Sequence, residues 1–322
     1  MKKLKIAYIE RRFDRFVSIE KVFKLVNEGL DVGRFGTMFC KLRFSNSLTG
    51  VIMNLFNFRS PEGFDIYHVT GHCHYIALRL PPERTVLTIH DAGILHIRTG
   101  LRRWVLKKLL IEMPLRRLRY VTAISLATKD EIAANFGRLA EKIRVIENPV
   151  DEAMRADSHK EFCTDRPRIL QIGSLPNKNA ENVIRALEGI DKGTDFESRS
   201  QLSGEEMIRE YRQADILVFC STFEGFGLPI IEAQAARLPV VTSDLSPMKE
   251  VAGAGGAVLV DPFDHRSIRA GIERVIREPE LRSELVEKGI KNIERFDKKV
   301  IAAEYAALYE EIAKDLGETA RR

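Results

Sequence analysis

Two carboxylates eight residues apart, Glu224 and Glu232, bracket the segment Gly225-Phe226-Gly227-Leu228-Pro229. A short apolar run, Ile216 to Cys220, precedes them and suits a buried parallel strand. Pro229 then opens a helix, because a first helical turn has no partner for the N–H that proline lacks. Gly225 and Gly227 let the backbone approach a ligand, and the helix N-terminus offers unpaired N–H groups and a positive dipole end. Glu224 falls in the turn and Glu232 about one turn into the helix, so both can face the mouth of one cleft. Carboxylates beside an anion-binding helix end suit a ligand with phosphate and many hydroxyls. A nucleotide-sugar meets that description.

Other residues could join them. Lys178, in Gly173-Ser-Leu-Pro-Asn-Lys-Asn179, follows a strand-like run and opens a helix. A cation there can neutralise a diphosphate leaving group, and a surface lysine beside a helix cap is the plainer alternative. His90 ends the run Thr85-Val-Leu-Thr-Ile-His-Asp91, the carboxyl edge where α/β sheets hold ligands. A purely structural histidine is the alternative there. His72-Cys73-His74 looks like a metal site, but successive side chains of an extended segment point to opposite faces. No distant pair at zinc spacing accompanies it, so no metal is expected.

Short strand-like runs alternate with helix-like ones through the chain, the signature of parallel α/β units. Strands are expected at 4–9, 66–70, 85–89, 120–124 and 143–146, and helices at 18–27, 101–118 and 128–135, the last behind a capping box, Thr128-x-x-Glu131. Residues 31–63 have no clean period. Polar residues 151–167 read as a linker between a first domain, 1–150, and a second, 168–322. The second half runs strand 168–172, a helix to Leu187, a capping box Ser203-x-x-Glu206, strand 216–220, helix 229–237, strand 239–242, helix 247–252 and strand 257–260. Amphipathic helices close it, the last a candidate to pack back on the first domain. Two Rossmann-like parallel-sheet α/β domains facing across a cleft are the expected architecture.

The pattern Glu-Gly-Phe-Gly-Leu-Pro…Glu-Ala-x-Ala-x-x-x-Pro-Val at 224–240 resembles the Glu-x7-Glu signature of retaining glycosyltransferases of the GT-B fold, the group 1 or family 4 type. The resemblance continues through Val240-Val-Thr-Ser-Asp244, Pro247-Met-Lys-Glu250 and Ala257-Val-Leu-Val-Asp-Pro262, with weaker echoes at Thr88–Asp91, Thr122–Ser125 and Lys142–Pro149. It implies transfer of a sugar from a nucleotide-sugar donor to an acceptor with retention of configuration, without a cofactor. It implies roles as well. Glu232 would hold the ribose hydroxyls, and Glu224 would contact sugar hydroxyls or support charge at the anomeric carbon. Lys178 would meet the diphosphate, and the backbone N–H groups of Phe226, Gly227 and Leu228 the sugar or phosphate. His90 would be a catalytic residue of the first domain, near donor sugar and acceptor, and His74 would line the cleft beside it. Three departures stand out. Ser174 replaces an arginine that commonly partners the lysine, and Glu10-Arg-Arg-Phe-Asp-Arg15 replaces a Gly-Gly loop. Residues 188–202 lack an apolar run able to fill a central strand. Either the second sheet is one strand–helix unit smaller than the family's, or a piece is missing there.

Bulk composition bounds these readings. At 322 residues the chain can bury two ordinary cores, and 44% apolar with 30% charged residues is normal for a soluble protein. No apolar run approaches a membrane span, Met1-Lys-Lys-Leu-Lys-Ile-Ala lacks a secretory core, and four cysteines have no metal or redox spacing. A reduced cytoplasmic chain is expected, peripheral at the membrane at most. Residues 1–150 hold 26 Lys and Arg against 14 Asp and Glu, a net of +12, whereas the remainder is net −7. The first half therefore suits an anionic partner, either a phosphate-bearing or lipid-linked acceptor or an acidic bilayer. No nucleic-acid motif accompanies the charge. Arg98 to Arg119 hold eight basic residues, one acid and Trp104, so the helix could lie on anionic lipid, although a sheet-covering helix with a solvated face is the plainer reading. The alternative to a transferase is a catalytically silent nucleotide-sugar or polyanion binder. A nicotinamide dehydrogenase is disfavoured, because no Gly-x-Gly-x-x-Gly follows either first strand.

Overall fold

The computed structural model describes residues 3–12, 18–96, 100–158, 161–190 and 193–319. They form two compact units, one of 1–149 with 298–322, the other of 150–297.

In the first unit the chain runs β1 (Leu4–Glu10), α1 (Ser18–Gly29), β2 (Phe35–Lys41), α2 (Leu48–Asn57), β3 (Ile66–Val69), β4 (Thr85–Ile89), α3 (Leu101–Lys107), α4 (Met113–Arg117), β5 (Tyr120–Ala123), α5 (Leu126–Phe136) and β6 (Ile143–Val145). The six strands are parallel in the order β2-β1-β3-β4-β5-β6. β3, β4 and β5 are buried at every residue, as expected of parallel strands covered on both faces. Residues 31–63, which had no readable period, hold β2 and α2. β2 is a half-exposed edge strand and α2 is apolar nearly all round, so neither shows a one-sided pattern. The helix expected over 101–118 is broken by a π turn at Lys108–Glu112, where the Met113 N–H reaches Lys108 O. Pro114 follows at once, and a residue without an N–H favours such a widened turn. Helix α5 starts earlier than the expected capping box, with Ser125 Oγ accepting the Thr128 N–H at 3.1 Å.

The second unit runs β7 (Arg168–Ile172), α6 (Ala180–Leu187), β8 (Asp195–Arg199), α7 (Gly204–Gln213), β9 (Ile216–Phe219), α8 (Leu228–Ala235), β10 (Val240–Ser243), α9 (Met248–Ala252), β11 (Val258–Val260), α10 (His265–Arg277) and α11 (Pro279–Asn292). Its five parallel strands take the order β11-β10-β9-β7-β8. Of the strand–helix unit expected to be missing at 188–202, the strand is present as β8, Asp-Phe-Glu-Ser-Arg, whereas no helix stands between it and α7. An edge strand bonded on one side needs no apolar run. Here Glu197 and Arg199 pair at 2.9 Å, and only Phe196 reaches the core. The Ser203–Glu206 capping box forms as expected.

The linker expectation is also corrected. Residues 150–158 are tied into the second unit, the Val150 N–H bonding Phe296 O at 2.9 Å and the Ala156 N–H bonding Ala235 O at 3.0 Å, with Met154 buried. Helix α12 (Lys298–Thr319) belongs to the first unit, not to the second as drawn at 168–322. It packs along α1, where a Cβ on Gly29 would lie 2.4 Å from Lys298 O, and inserts Tyr305 and Tyr309 into the core. There Tyr309 Oη lies 2.7 Å from His68 Nδ1, and His68 Nε2 2.7 Å from Thr88 Oγ1.

Candidate functional site

The residues singled out in the second unit gather at the carboxyl ends of β7 and β9. After β7 the chain turns at Gly173, whose N–H bonds Arg199 O at 2.7 Å and whose φ is +101°. A Cβ there would meet Lys178 Cε at 2.7 Å, so the lysine stem lies directly on the glycine. Lys178 Nζ ends 2.6 Å from Glu224 Oε1 and 4.7 Å from the Phe219 ring centre. The side chains are only 15% and 13% exposed, so this is a sheltered ion pair rather than a solvated one.

Asparagines hold the two loops together. Asn177 Nδ2 donates to Phe223 O at 2.8 Å, and its carbonyl accepts the Thr222 N–H at 2.8 Å. Asn179, at φ +61°, donates from Nδ2 to Cys220 O at 3.0 Å and Pro262 O at 2.7 Å. A short amide tolerates that backbone region and can bond locally.

The Gly-Phe-Gly-Leu-Pro segment performs three separate tasks. Phe226 is buried edge-on against Phe296, ring centres 5.7 Å apart, so its side chain anchors the loop and only its backbone is on offer. Gly227 turns at φ +105° to cap α8, where a Cβ would press on Ile230 at 3.2 Å. Leu228 and Pro229 form the first turn of α8, and Gly225 is half-buried before them. Glu232 is half-buried one turn on, and Tyr211 Oη donates to its Oε2 at 2.8 Å. Tyr211 is wholly buried. Burial, then the Glu232 charge beside it, push the phenol well above its usual range, so it stays a proton donor to the carboxylate. The two glutamates thus have different holders, a lysine for Glu224 and a tyrosine for Glu232.

His90 and His74 lie in the first unit and are more enclosed than cleft-lining residues need be. His90 is buried, its Nε2 2.7 Å from Thr70 O. A carbonyl only accepts, so Nε2 carries the proton and Nδ1 is the ring's acceptor nitrogen. His74 opens a 3-10 helix, His74–Arg79, with Nδ1 2.8 Å from Leu110 O. Its Nε2 is buried without a hydrogen-bond partner among the described residues. Burial is the main cause holding both rings neutral, with His74 pushed down to about 4 and His90 to about 3; the neighbouring His72 adds to it. The turn at Cys73 brings the His72 and His74 rings within 6.2 Å, although an extended segment would have parted them. Still, no group of three or more metal-ligating side chains occurs among the described residues. His72 Nε2 lies 3.0 Å from Asp91 Oδ2 instead. Burial alone would raise the Asp91 carboxyl, but His72 and the Gly93 N–H hold it well below the usual carboxylate range.

Two family descriptions match this chain, Glycosyltransferase Family 4 over residues 28–153 and Glycosyl transferases group 1 over residues 199–292. The chain belongs to the group 1 glycosyltransferases. Among relatives in this group, it is 27% identical over 224 residues to the O-antigen chain mannosyltransferase RfbU of Salmonella typhimurium, covering 60% of this chain and 61% of that protein. It is 26% identical over 227 residues to the MMP alpha-(1->4)-mannosyltransferase of Mycolicibacterium hassiacum, covering 61% and 54%. The matched stretches therefore span little more than half of those relatives. Among solved structures, sucrose-phosphate synthase from Thermosynechococcus elongatus superposes with a TM-score of 0.78 at 15% identity, over 97% of this chain and 100% of that one. Anabaena HepE in complex with UDP and glucose gives 0.74 at 15%, over 98% and 100%. Both share its fold, the GT-B pair of parallel-sheet α/β domains.

For this group 1 chain, sequence reasoning missed Tyr211, Asn177 and Asn179. The asparagines had a signal, since two of them flank Lys178 in Pro-Asn-Lys-Asn and turn residues that bond backbone cluster that way. Tyr211 had none, because its partner lies 21 residues away and only packing joins them.

Proposed function

We propose that this chain transfers a hexose, mannose first among candidates, from a nucleotide-sugar to the growing end of a glycan or a glycolipid, with retention of configuration. The observation that carries the reading is the Lys178–Glu224 pair, held at 2.6 Å beside the N-terminus of α8. When donor enters, the diphosphate takes Lys178, and Glu224 is released to the sugar hydroxyls or to positive charge at the anomeric carbon. Glu232, oriented by Tyr211, accepts from the ribose hydroxyls. Backbone N–H groups of Phe226, Gly227 and Leu228 serve sugar or phosphate at the helix start. His90, the catalytic candidate of the first unit, holds its Nε2 proton on Thr70 O and so keeps Nδ1 as an acceptor nitrogen, and His74 lies buried in the same unit. The names of the mannosyltransferase relatives support mannose, and HepE in complex with UDP and glucose supports a nucleotide-linked hexose donor. No helix among the described residues is long and apolar enough to cross a membrane, and all four cysteines are unpaired, in keeping with a cytoplasmic, peripheral enzyme.

One observation favours a second reading, a binder without turnover. Ser174 stands where a second cation would be, and Glu224 already neutralises Lys178. A thermal-shift panel of GDP-mannose, UDP-glucose, UDP-galactose and UDP-N-acetylglucosamine, followed by assay of nucleoside diphosphate release, separates the two. The transferase reading expects one donor to raise the melting point and to be turned over when acceptor is supplied. Stabilisation without release in the presence of lipid-linked and soluble glycan acceptors would favour the binder.

A further inference from the structure

Helix α2 carries large apolar side chains on its outer face as well as its inner one. Its one buried polar side chain, Asn54, faces inward and is fully engaged, donating to Phe44 O and Tyr75 Oη at 2.9 Å each and accepting the Phe44 N–H at 3.1 Å. Ser47 caps the helix by accepting the Gly50 N–H at 3.1 Å, and a Cβ on Gly50 would fall 2.1 Å from Ser45 O. Val51, Leu55 and Phe58 pack on the core beneath. The helix is thus pinned in one rotation, and four of the six exposed side chains on its outer face are large and apolar, Thr49 and Asn57 being the other two. Phe56 is 81% exposed, Leu48 72%, Ile52 45% and Met53 44%. Leu48, Ile52 and Phe56 recur every four residues with Met53 beside them, which makes one continuous stripe. Large apolar side chains scattered singly over a surface are ordinary, but four on one helix face mark a surface that something covers.

The charge around the stripe selects the occupant. No acidic residue stands between Asp31 and Glu62, whereas Arg34, Lys41, Arg43 and Arg59 do, and residues 44–58 carry no charge at all. Lys41, Arg43 and Arg59 are exposed at the two ends of the helix. Helix α4 packs on the same 3-10 helix, His74–Arg79, as α2 does, and the basic stretch leading into α4 exposes Trp104 by 57% with Lys108 Nζ 4.6 Å over its ring. We infer that α2 is an interfacial helix that lays Leu48, Ile52, Met53 and Phe56 into an anionic lipid bilayer, with Lys41, Arg43 and Arg59 on the head groups. The lipid contact expected of residues 98–119 is thereby centred on α2. Arg98 and the side chains of Arg102 and Arg103 lie outside the described residues. The inference is independent of sugar transfer.

Trp104 is the only tryptophan, so Phe56→Trp in a Trp104→Phe background gives a probe on the stripe itself. With the full chain and vesicles of phosphatidylglycerol and phosphatidylcholine, its emission should shift to the blue and be quenched by brominated acyl chains, and phosphatidylcholine alone should do far less. Leu48→Ser with Phe56→Ser should lower vesicle partitioning at least about tenfold, with the melting point unchanged because both side chains are already in water. The proposal is overturned if the Phe56→Trp probe ignores vesicles to which the protein binds, if the double variant partitions like wild type, or if wild type shows no binding to the anionic vesicles. It is equally overturned if wild type is a dimer that the double variant dissociates, since the stripe would then be covered by a second copy.

Discussion

Lys178 and Glu224 neutralise one another at 2.6 Å, so in the proposed reaction a diphosphate competes with a carboxylate for the same ammonium group. Removing the two partners should therefore shift diphosphate binding in opposite directions, weaker without Lys178 and tighter without Glu224. Lys178→Ala should lower kcat/KM by roughly 10²–10³, because charge builds on the leaving phosphate in the transition state. Glu224→Gln should also lower turnover, since in the proposed reaction its carboxylate acts at the sugar, yet it should tighten binding of the free nucleoside diphosphate by roughly three- to tenfold by releasing the lysine. Calorimetric titration of both variants with the diphosphate of the active donor checks this. Weaker diphosphate binding in Glu224→Gln would mean that the carboxylate positions the lysine and does not compete for it.

At the level of elements, the site depends on how tightly the loops after β7 and β9 are stitched. Gly173 is the tightest point, at φ +101° with the Lys178 stem on its missing side chain. Gly173→Ala forces a left-handed backbone on a residue with a Cβ, at a cost of about 1–2 kcal/mol, and displaces Lys178 as well. The expected result is a melting point several degrees lower together with a loss of turnover larger than stability explains. Measuring kcat/KM well below the melting range tests the second half. A variant that melts earlier but turns over normally would remove the Gly173–Lys178 contact from the mechanism. α8 depends less on side-chain capping, since Gly227 opens it by backbone alone and Phe226 pins the entry against Phe296.

For the whole molecule the buried histidines set an acid limit. His68, His74 and His90 are all pushed down, to about 3, 4 and 3, chiefly by burial. Unfolded, each would titrate near 6.5, so below that pH the unfolded chain binds protons that the folded chain refuses. Stability should then be full above about pH 6.5 and fall as pH drops toward 4, by up to about 1.4 kcal/mol per histidine per pH unit. Thermal melts from pH 7.5 to 4.5 check it. His68→Gln should flatten the slope by up to a third if its own folded packing survives, and a melting point independent of pH down to 4.5 would show that these rings are not held neutral.

How much of this was legible beforehand differs by residue. The Glu224–Glu232 segment, Lys178 and most strand positions could be read from the chain, because a buried parallel strand must be a short apolar run and a ligand loop must carry glycine at its turns. β8 was not legible, since an edge strand bonded on one side tolerates Asp-Phe-Glu-Ser-Arg, and the half-exposed β2 hid for a similar reason. Helix α2 was hidden because it is apolar on both faces, Val51 and Leu55 in and Phe56 out, which cancels the one-sided pattern that marks a surface helix. Local chemistry thus determined which residues are proposed to handle a phosphate and a sugar. Only tertiary packing decided who holds them. Tyr211 reaches Glu232 from another helix, Asn179 ties the turn after β7 to Cys220 and Pro262, and α12 returns 298–322 to the first unit to give His68 its Tyr309 partner. Such pairings join residues far apart in the chain, and no local propensity or period encodes a partner that folding alone brings within hydrogen-bond reach.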